Sequence, residues 1–346
     1  MSDQTVDEVQ MSLSESQLER MEPPPVEIVS EGVAVAGQSP TQLALGRFRR
    51  DKLSMAAFII VAIYVVAAIV APLLVKLHVL KPYGQDQSLL NIELGGVPKG
   101  HWGGTSWHHL LGVEPRIGTD FLSRLWYGMT FSLTIALTAT IVAVVIGVVL
   151  GIISGFTGGW VDSAIGRLID LTLSFPQTLM LLALSATGAA LFAKLLPGNE
   201  SDPLPNAVYE ILVLGLFGWP SVARLIRGQV LSIREREFVD AARLLGASRR
   251  RIYFKEILPN LWAPVLVQFT LIMPAYVSAE AALGYLGVGI HPPTPTLGNI
   301  LQDSVNFSGS DFAYFLYPAI LLATIVVTFN LLGDGLRDAL DPKADR

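Results

Sequence analysis

The chain has 346 residues, of which 51% are hydrophobic and only 15% charged, and it contains no cysteine. So few charges cannot cover a water-soluble domain of this size, where roughly a quarter of residues are normally charged. The missing cysteines exclude a disulfide scaffold and a cysteine-ligated zinc site. The net charge of −5 is set by one end: eight acidic residues and one basic residue occupy positions 1–45, leaving a nearly neutral body without the basic surface of a nucleic-acid binder.

Residues 1–45 are polar, acidic and interrupted by Pro23–Pro25, with too little apolar surface to offset the cost of ordering them. They read as a disordered tail. No basic n-region precedes an early apolar stretch, so the tail is not a cleavable signal peptide. A basic juxtamembrane segment, 46–54, follows with Arg47, Arg49, Arg50 and Lys52.

From 55 to 340 the chain reads as a membrane domain. A run of about 20 apolar residues crosses the hydrocarbon core as a helix, and the apolar runs predict helices at 55–75, 125–154, 168–192, 207–227, 259–281 and 313–333, the fourth carrying Glu210 near one end and Arg224 near the other. Pro176, Pro264, Pro274 and Pro318 interrupt several of them, which neighbouring helices in a bundle tolerate. Four Lys/Arg lie at 47–52 and nine between Arg224 and Lys255, whereas 285–312 has none. This asymmetry, with six spans, places both termini and the 228–258 segment in the cytoplasm and the 76–124 loop outside. Residues 341–346 form a short cytoplasmic tail. The outer loop carries His78, His101, His108 and His109, but without ligand spacing, and no metal site is read there.

Two extramembrane segments stand out. After the fifth helix, Gly284, Gly287 and Gly289 precede Pro292, Pro293 and Pro295, a pattern for sharp turns that fits an ordinary loop or a segment dipping into the outer leaflet under protein cover. Between the fourth and fifth helices, Phe238, Ala241, Ala242 and Leu245 fall at helical spacing and predict one apolar face; Gly246 permits a chain reversal. A helix this short needs something to pack on. From spacing alone it suits either insertion into the cleft of a partner or anchoring on acidic lipid.

Three motifs carry a resemblance. Asp240-Ala241-Ala242-x-x-x-Gly246, followed by Ile257-Leu258-Pro259-Asn260, resembles the EAA motif of ATP-binding-cassette (ABC) importer permeases, with Asp240 in place of the family's Glu. The stretch from Glu280 through Gly298 resembles the segment after helix five in the dipeptide/oligopeptide/nickel permeases, in the second of their two permease subunits. Gly118-Thr119-Asp120 through Arg124 and Gly128 is similar to the family's outer motif; its first Gly-Thr-Asp stands here as Gly112-Val113-Glu114, and the loop is enlarged around 93–111.

The resemblance implies an all-α polytopic membrane protein with the six transmembrane helices of the type I ABC importer permease fold, in a prokaryotic inner or plasma membrane. It implies a homologous second permease subunit, two ABC ATPases that bind ATP and Mg, an extracytoplasmic substrate-binding protein, and a peptide as cargo. The chain itself holds no cofactor, has no phosphate-binding loop, and is not an enzyme. Glu237, Phe238, Asp240, Ala241, Ala242, Leu245, Gly246, Ser248 and Arg249 are then the ATPase-coupling residues. Ser174, Gln177, Thr178, Pro264, Gln268, Thr270, Pro274 and Thr328 are candidates for pathway or gating, each also readable as a helix-packing contact. Asp120, Arg124, Glu280, Gly287, Gly289, Pro292 and Pro293 are outer structural or receptor-facing residues. Glu280 is expected to accept N–H groups of the Gly284–Gly289 turn, and Glu210 to face the outer aqueous boundary. Nickel chelates, opines or glycosides are the alternative cargo. An intramembrane enzyme lacks a nucleophile–base pair at membrane depth, and a passive scaffold would leave the basic segment idle.

Overall fold

The computed structural model describes residues 40–195 and 202–340. The expected tails at 1–39 and 341–346, and residues 196–201, lie outside the described residues. Helix α1, Pro40–Arg50, takes in positions 40–45 that the sequence assigns to the disordered tail; a proline at the first helical position costs no hydrogen bond. Asp51 then caps α2, Lys52–Lys76, by accepting N–H bonds from Leu53 and Ser54.

The 76–124 loop contains a two-stranded antiparallel hairpin, β1 Leu90–Asn91 and β2 Val97–Pro98. The remaining elements are helical: α3 Phe121–Thr157, α4 Gly159–Ser174, α5 Gln177–Leu195, α6 Leu204–Ile233, α7 Glu237–Leu244, the single turn α8 Arg249–Arg251, α9 Trp262–Tyr285, α10 Leu297–Val305 and α11 Phe312–Leu340. A π-helical stretch, Ile252–Ile257, and a 3₁₀ turn, Leu258–Leu261, lead from α8 into α9.

Among the described residues, five helical segments are long and apolar enough to cross a membrane, and α4 with the first part of α5 makes a sixth only if the pair is taken as one bent span. The predicted continuous third helix is therefore broken. Its halves meet at 81°. The cause is local: Pro176 lacks an N–H and forces Phe175 into extended backbone, at φ −96° and ψ 131°. The fourth and sixth helices are longer than their apolar runs because α6 and α11 continue beyond them.

The bundle is organised around α3 and α6. Three glycines of α3 at four-residue spacing lie on one stripe, and a Cβ built on any of them would strike α6: Gly147 meets Val222 at 2.5 Å, Gly151 meets Ile226 at 2.8 Å, and Gly155 meets Val230 at 2.8 Å. The contacts advance together along both chains, so α3 and α6 run parallel. In lipid such contact is favourable because small residues let backbones approach and dispersion accumulates. Around this pair, α9 packs on α3 and α11, α2 packs on α11 and α3, and α4 and α5 pack on α6. Trp126 donates its indole N–H to Ala67 O at 2.8 Å, and the hydroxyls of Tyr64 and Thr324 pair at 2.9 Å, which fasten α2 to the bundle.

Gly151→Val pushes a branched side chain into Ile226 and the Ala223 carbonyl, and is expected to cost about 1–3 kcal/mol as overpacking. Gly228, also within α6, has no atom within 4 Å of a Cβ. Thermal unfolding of the purified protein in detergent should show a lower midpoint for Gly151→Val and none of that loss for Gly228→Ala.

Candidate functional site

At one end of the α3–α6 pair sits α7. Glu237 and Asp240 lie in its first turn and Arg243 in its last, the order that the helix dipole favours. The helix ends in a Schellman turn: Gly246 N–H donates to Arg243 O and Ala247 N–H to Ala242 O, both at 3.0 Å. Gly246 supplies the left-handed residue this turn needs, at φ +76°. Ser248 then caps the next turn by accepting from Arg251 N–H at 3.4 Å, and Arg249 opens that turn, exposed.

The apolar face of α7 divides differently from the sequence pattern. Val239 is fully buried and Ala242 packs beside it, whereas Phe238, Ala241 and Leu245 point away from the bundle. Leu244 and Leu245 are 89% and 87% exposed. The reason is register: the helix offers residues three apart to the bundle and leaves the other stripe uncovered. Two leucines this bare at the tip of a short helix form a surface that water covers at a cost.

What α7 touches is equally defined. Arg243 lies over the ring of Phe156, at 4.9 Å from its centroid, and Tyr253 meets the same ring edge-on at 5.2 Å. Tyr253 also pairs its hydroxyl with Thr157 Oγ1 at 3.1 Å, and Arg234 donates to Gly155 O at 3.0 Å. The last turn of α3 is thus held by α6, α7 and the π-helical stretch together. Phe156, Tyr253 and Val239 were not picked out from the sequence, because pair contacts between segments a hundred residues apart leave no local periodicity. The Gly147/Gly151/Gly155 spacing was the signal that could have located the close packing of α3, and it was passed over because the helix was predicted to end near Ser154.

At the opposite end, the segment after α9 folds back under protein cover. Residues 294–300 are buried, and α10 begins with a reciprocal cap in which Asn299 N–H donates to Thr296 Oγ1 and Thr296 N–H to Asn299 Oδ1. Asn299 Nδ2 also donates to Ile290 O and Thr294 O. Ser132 of α3 accepts from Leu297 N–H at 3.0 Å. The segment is therefore a packed helix and not an open loop. Gly287 and Gly289 take φ of +77° and +111°; Pro292 and Pro293 stay exposed.

Glu280 is 1% exposed, with the Ser132 and Thr296 hydroxyls as its polar neighbours and its Oε2 without a hydrogen-bond partner among the described residues, so the expected bonds from the N–H groups of the glycine turn are not made. Glu210 is also 1% exposed, not at the aqueous boundary, because Gly289 leaves room for it: a Cβ there would lie 1.9 Å from Glu210 Oε1.

Asp120 caps α3 by accepting from Ser123 N–H at 2.8 Å and pairs with His109 Nδ1 at 2.9 Å. Arg124 forms a buried ion pair with Glu114 at 2.9 Å and donates to Pro293 O at 3.3 Å, while Tyr314 donates its hydroxyl to the other Glu114 oxygen at 2.9 Å. Burial pushes the Glu114 carboxyl above its ordinary value, and the adjacent Arg124 opposes that rise. One clasp thus joins the outer loop, α3, the returning segment and α11.

The pathway candidates separate. Ser174 is exposed with its hydroxyl returned to Asp170 O, and Gln177, Pro264, Gln268 and Thr270 are half-buried. Pro274 and Thr328 are buried within the bundle, Thr328 donating to Thr324 O. The side chain of Thr178 lies outside the described residues. Among the described residues no group of three or more His, Asp or Glu could hold a metal ion.

Comparison with known proteins identifies the family. Residues 147–346 match the family model of binding-protein-dependent transport system inner membrane components, and residues 39–93 match the N-terminal transmembrane domain of oligopeptide transport permease C. The dipeptide transport system permease protein DppC of Escherichia coli K12 is 37% identical over 88% of this chain and 94% of its own length. DppC of Alkalihalophilus pseudofirmus is 35% identical over 88% and 90%, and the oligopeptide transport system permease protein OppC of Mycobacterium tuberculosis H37Rv 33% over 87% and 94%. The chain is a member of the binding-protein-dependent ABC importer permease family. Within it, the chain is a second permease subunit of the DppC/OppC type.

Arg124→Met leaves the Glu114 carboxylate buried beside Tyr314 without its cation, a change expected to cost about 3–5 kcal/mol. The thermal midpoint in detergent should fall accordingly, and adding Glu114→Gln to the same chain should restore most of it.

Proposed function

We propose that this chain forms half of the translocation pathway of an ATP-driven importer of dipeptides or oligopeptides, and that α7 is the lever on which its ATPases press. The observation that carries the reading is the pairing of opposites on α7: Val239 and Arg243 tie it to the bundle, while Leu244 and Leu245 are left bare. A partner groove that covers those leucines would grip the helix, and the helix would pass any displacement to Phe156 of α3.

On this reading six spans cross a prokaryotic inner membrane, with both termini and α7 in the cytoplasm. Support comes from the chain path: α3 and α6 run parallel, so the segment between them must return once, and bent α4–α5 is the element available to do so. The pathway lies between this subunit and a homologous permease. An extracytoplasmic binding protein delivers the peptide near the clasp of Glu114, Arg124 and the α10 segment. Two ABC ATPases bind ATP and Mg and close on each other; the α7 helices follow, and the bundle switches between two packings that open to opposite sides. The chain contributes geometry and no bond-making chemistry. The cargo assignment draws support from the dipeptide and oligopeptide transport names of the relatives at 33–37% identity.

Two measurements test this. In proteoliposomes holding the full complex and its binding protein, ATP should drive uptake of labelled di- or oligopeptides; uptake of a nickel chelate with none of peptide would contradict the cargo. Replacing Leu244 and Leu245 by Asp should reduce ATPase subunits co-purified with the permease pair by about tenfold, the scale of losing a buried anchor. Unchanged retention would contradict docking through α7.

A further inference from the structure

The face shared by α4 and α6 carries charges that the pathway reading leaves unused. Arg227 grips Asp162 with two hydrogen bonds of 2.6 and 2.7 Å, and Arg224 pairs with Asp170 at 2.8 Å. Arg167 lies between the two carboxylates on α4, exposed, and no carboxylate among the described residues lies within ion-pair distance of it. These five side chains line one cavity of about 340 Å³. Gly166 also lines it and has no atom within 4 Å of a Cβ, so the space there is open.

Depth and surroundings decide what such a cavity faces. Twenty residues separate Leu204 from Arg224 on α6, about 30 Å of helix and about the thickness of the hydrocarbon core. The site is therefore at the membrane's inner rim, about two turns before α6 ends at Ile233. The exposed faces of α2, α3 and α11 at membrane depth are aliphatic, as with Ile63, Ile69, Leu137, Val145 and Val327. The charged face of α4 and α6 is unlike them, and exposed ionic side chains at this depth belong against water or protein and not acyl chains.

Three guanidinium groups against two carboxylates leave one positive charge in excess, on Arg167. A guanidinium presents paired donors to a carboxylate, and the flanking Asp170 accepts from an ammonium group. We propose that this cavity is an inner-mouth site for zwitterionic peptides, in which Arg167 and Arg224 take the terminal carboxylate and Asp170 a nearby ammonium. The proposal rests on the peptide-import reading above and adds to it a specificity-setting site in this chain, apart from the binding protein.

The test uses the complete complex in proteoliposomes with one unchanged binding protein, so that its own preferences cancel. Uptake of a dipeptide with a free C-terminus is compared with uptake of its C-terminal amide, for wild type, Arg167→Gln and Arg167→Lys. Among the described residues Arg167 has no ion-pair partner to lose, so its replacement leaves the described ion pairs in place. The free-acid to amide ratio is expected to fall about threefold in Arg167→Gln, the scale of one solvent-exposed charge pair, and to recover in Arg167→Lys. An unchanged ratio in Arg167→Gln, with peptide uptake intact, overturns the inner-mouth site alone. Release of a co-purifying phospholipid with the ratio unchanged assigns the cavity to lipid and overturns it as well. A wild-type complex that takes up no peptide overturns the import reading and this site with it.

Discussion

Close backbone contact between α3 and α6 is the constraint on which the rest of this subunit depends. Three glycines at four-residue spacing admit Val222, Ile226 and Val230 to distances that a methyl group would forbid. Because lipid offers no hydrophobic drive between helices, such shape-matching does the work that burial from water does elsewhere. The two helices pack as one rod with side-chain clusters at both ends. At one end are Phe156, Arg234 and α7; at the other are Arg124, Ser132 and the α10 segment that leans on them.

This view shifts attention from α9 to α3. The chain passes from α7 directly into α9, so Pro264, Gln268 and Pro274 are natural candidates for relaying motion. Yet the route from α7 into α9 runs through a π-helical stretch and a 3₁₀ turn, which break the regular hydrogen-bond ladder. The contacts of Arg243 and Tyr253 go instead to Phe156, in the last turn of the rod. On the proposed reading, a displacement of α7 would reach α3 through this side-chain packing, while α9 follows α7 through the π-helical stretch and the 3₁₀ turn.

Much of this was legible in the residues, and the failures have physical causes. The long apolar runs marked the spans, and the Asp240-to-Gly246 motif marked a helix with a left-handed turn after it, because hydropathy and glycine conformation are local properties. The third span was read as continuous since its hydropathy is continuous; the break comes from one imino acid and the restriction it places on Phe175. Glu210 and Glu280 were placed by chain position near an outer boundary, whereas pockets made by Gly289, Ser132 and Thr296 bury them, and such pockets arise from residues far apart in sequence. The packing of α10 was hidden for the same reason: its cap is local, but its cover is not.

The central claim is that α7 and the α3–α6 rod move as one body. The absence of cysteine from the chain makes it directly measurable. Spin labels on single cysteines at Leu245 and Val149, both exposed, report the separation of α7 from α3 in the ATP-free complex and in one trapped with nucleotide. The account predicts an unchanged separation while the distance from Leu245 to the same position's counterpart on the partner permease shortens. A change of several ångströms between Leu245 and Val149, with α3 and α6 undisturbed, would mean that α7 swings freely on Gly246, and the rod would carry no signal.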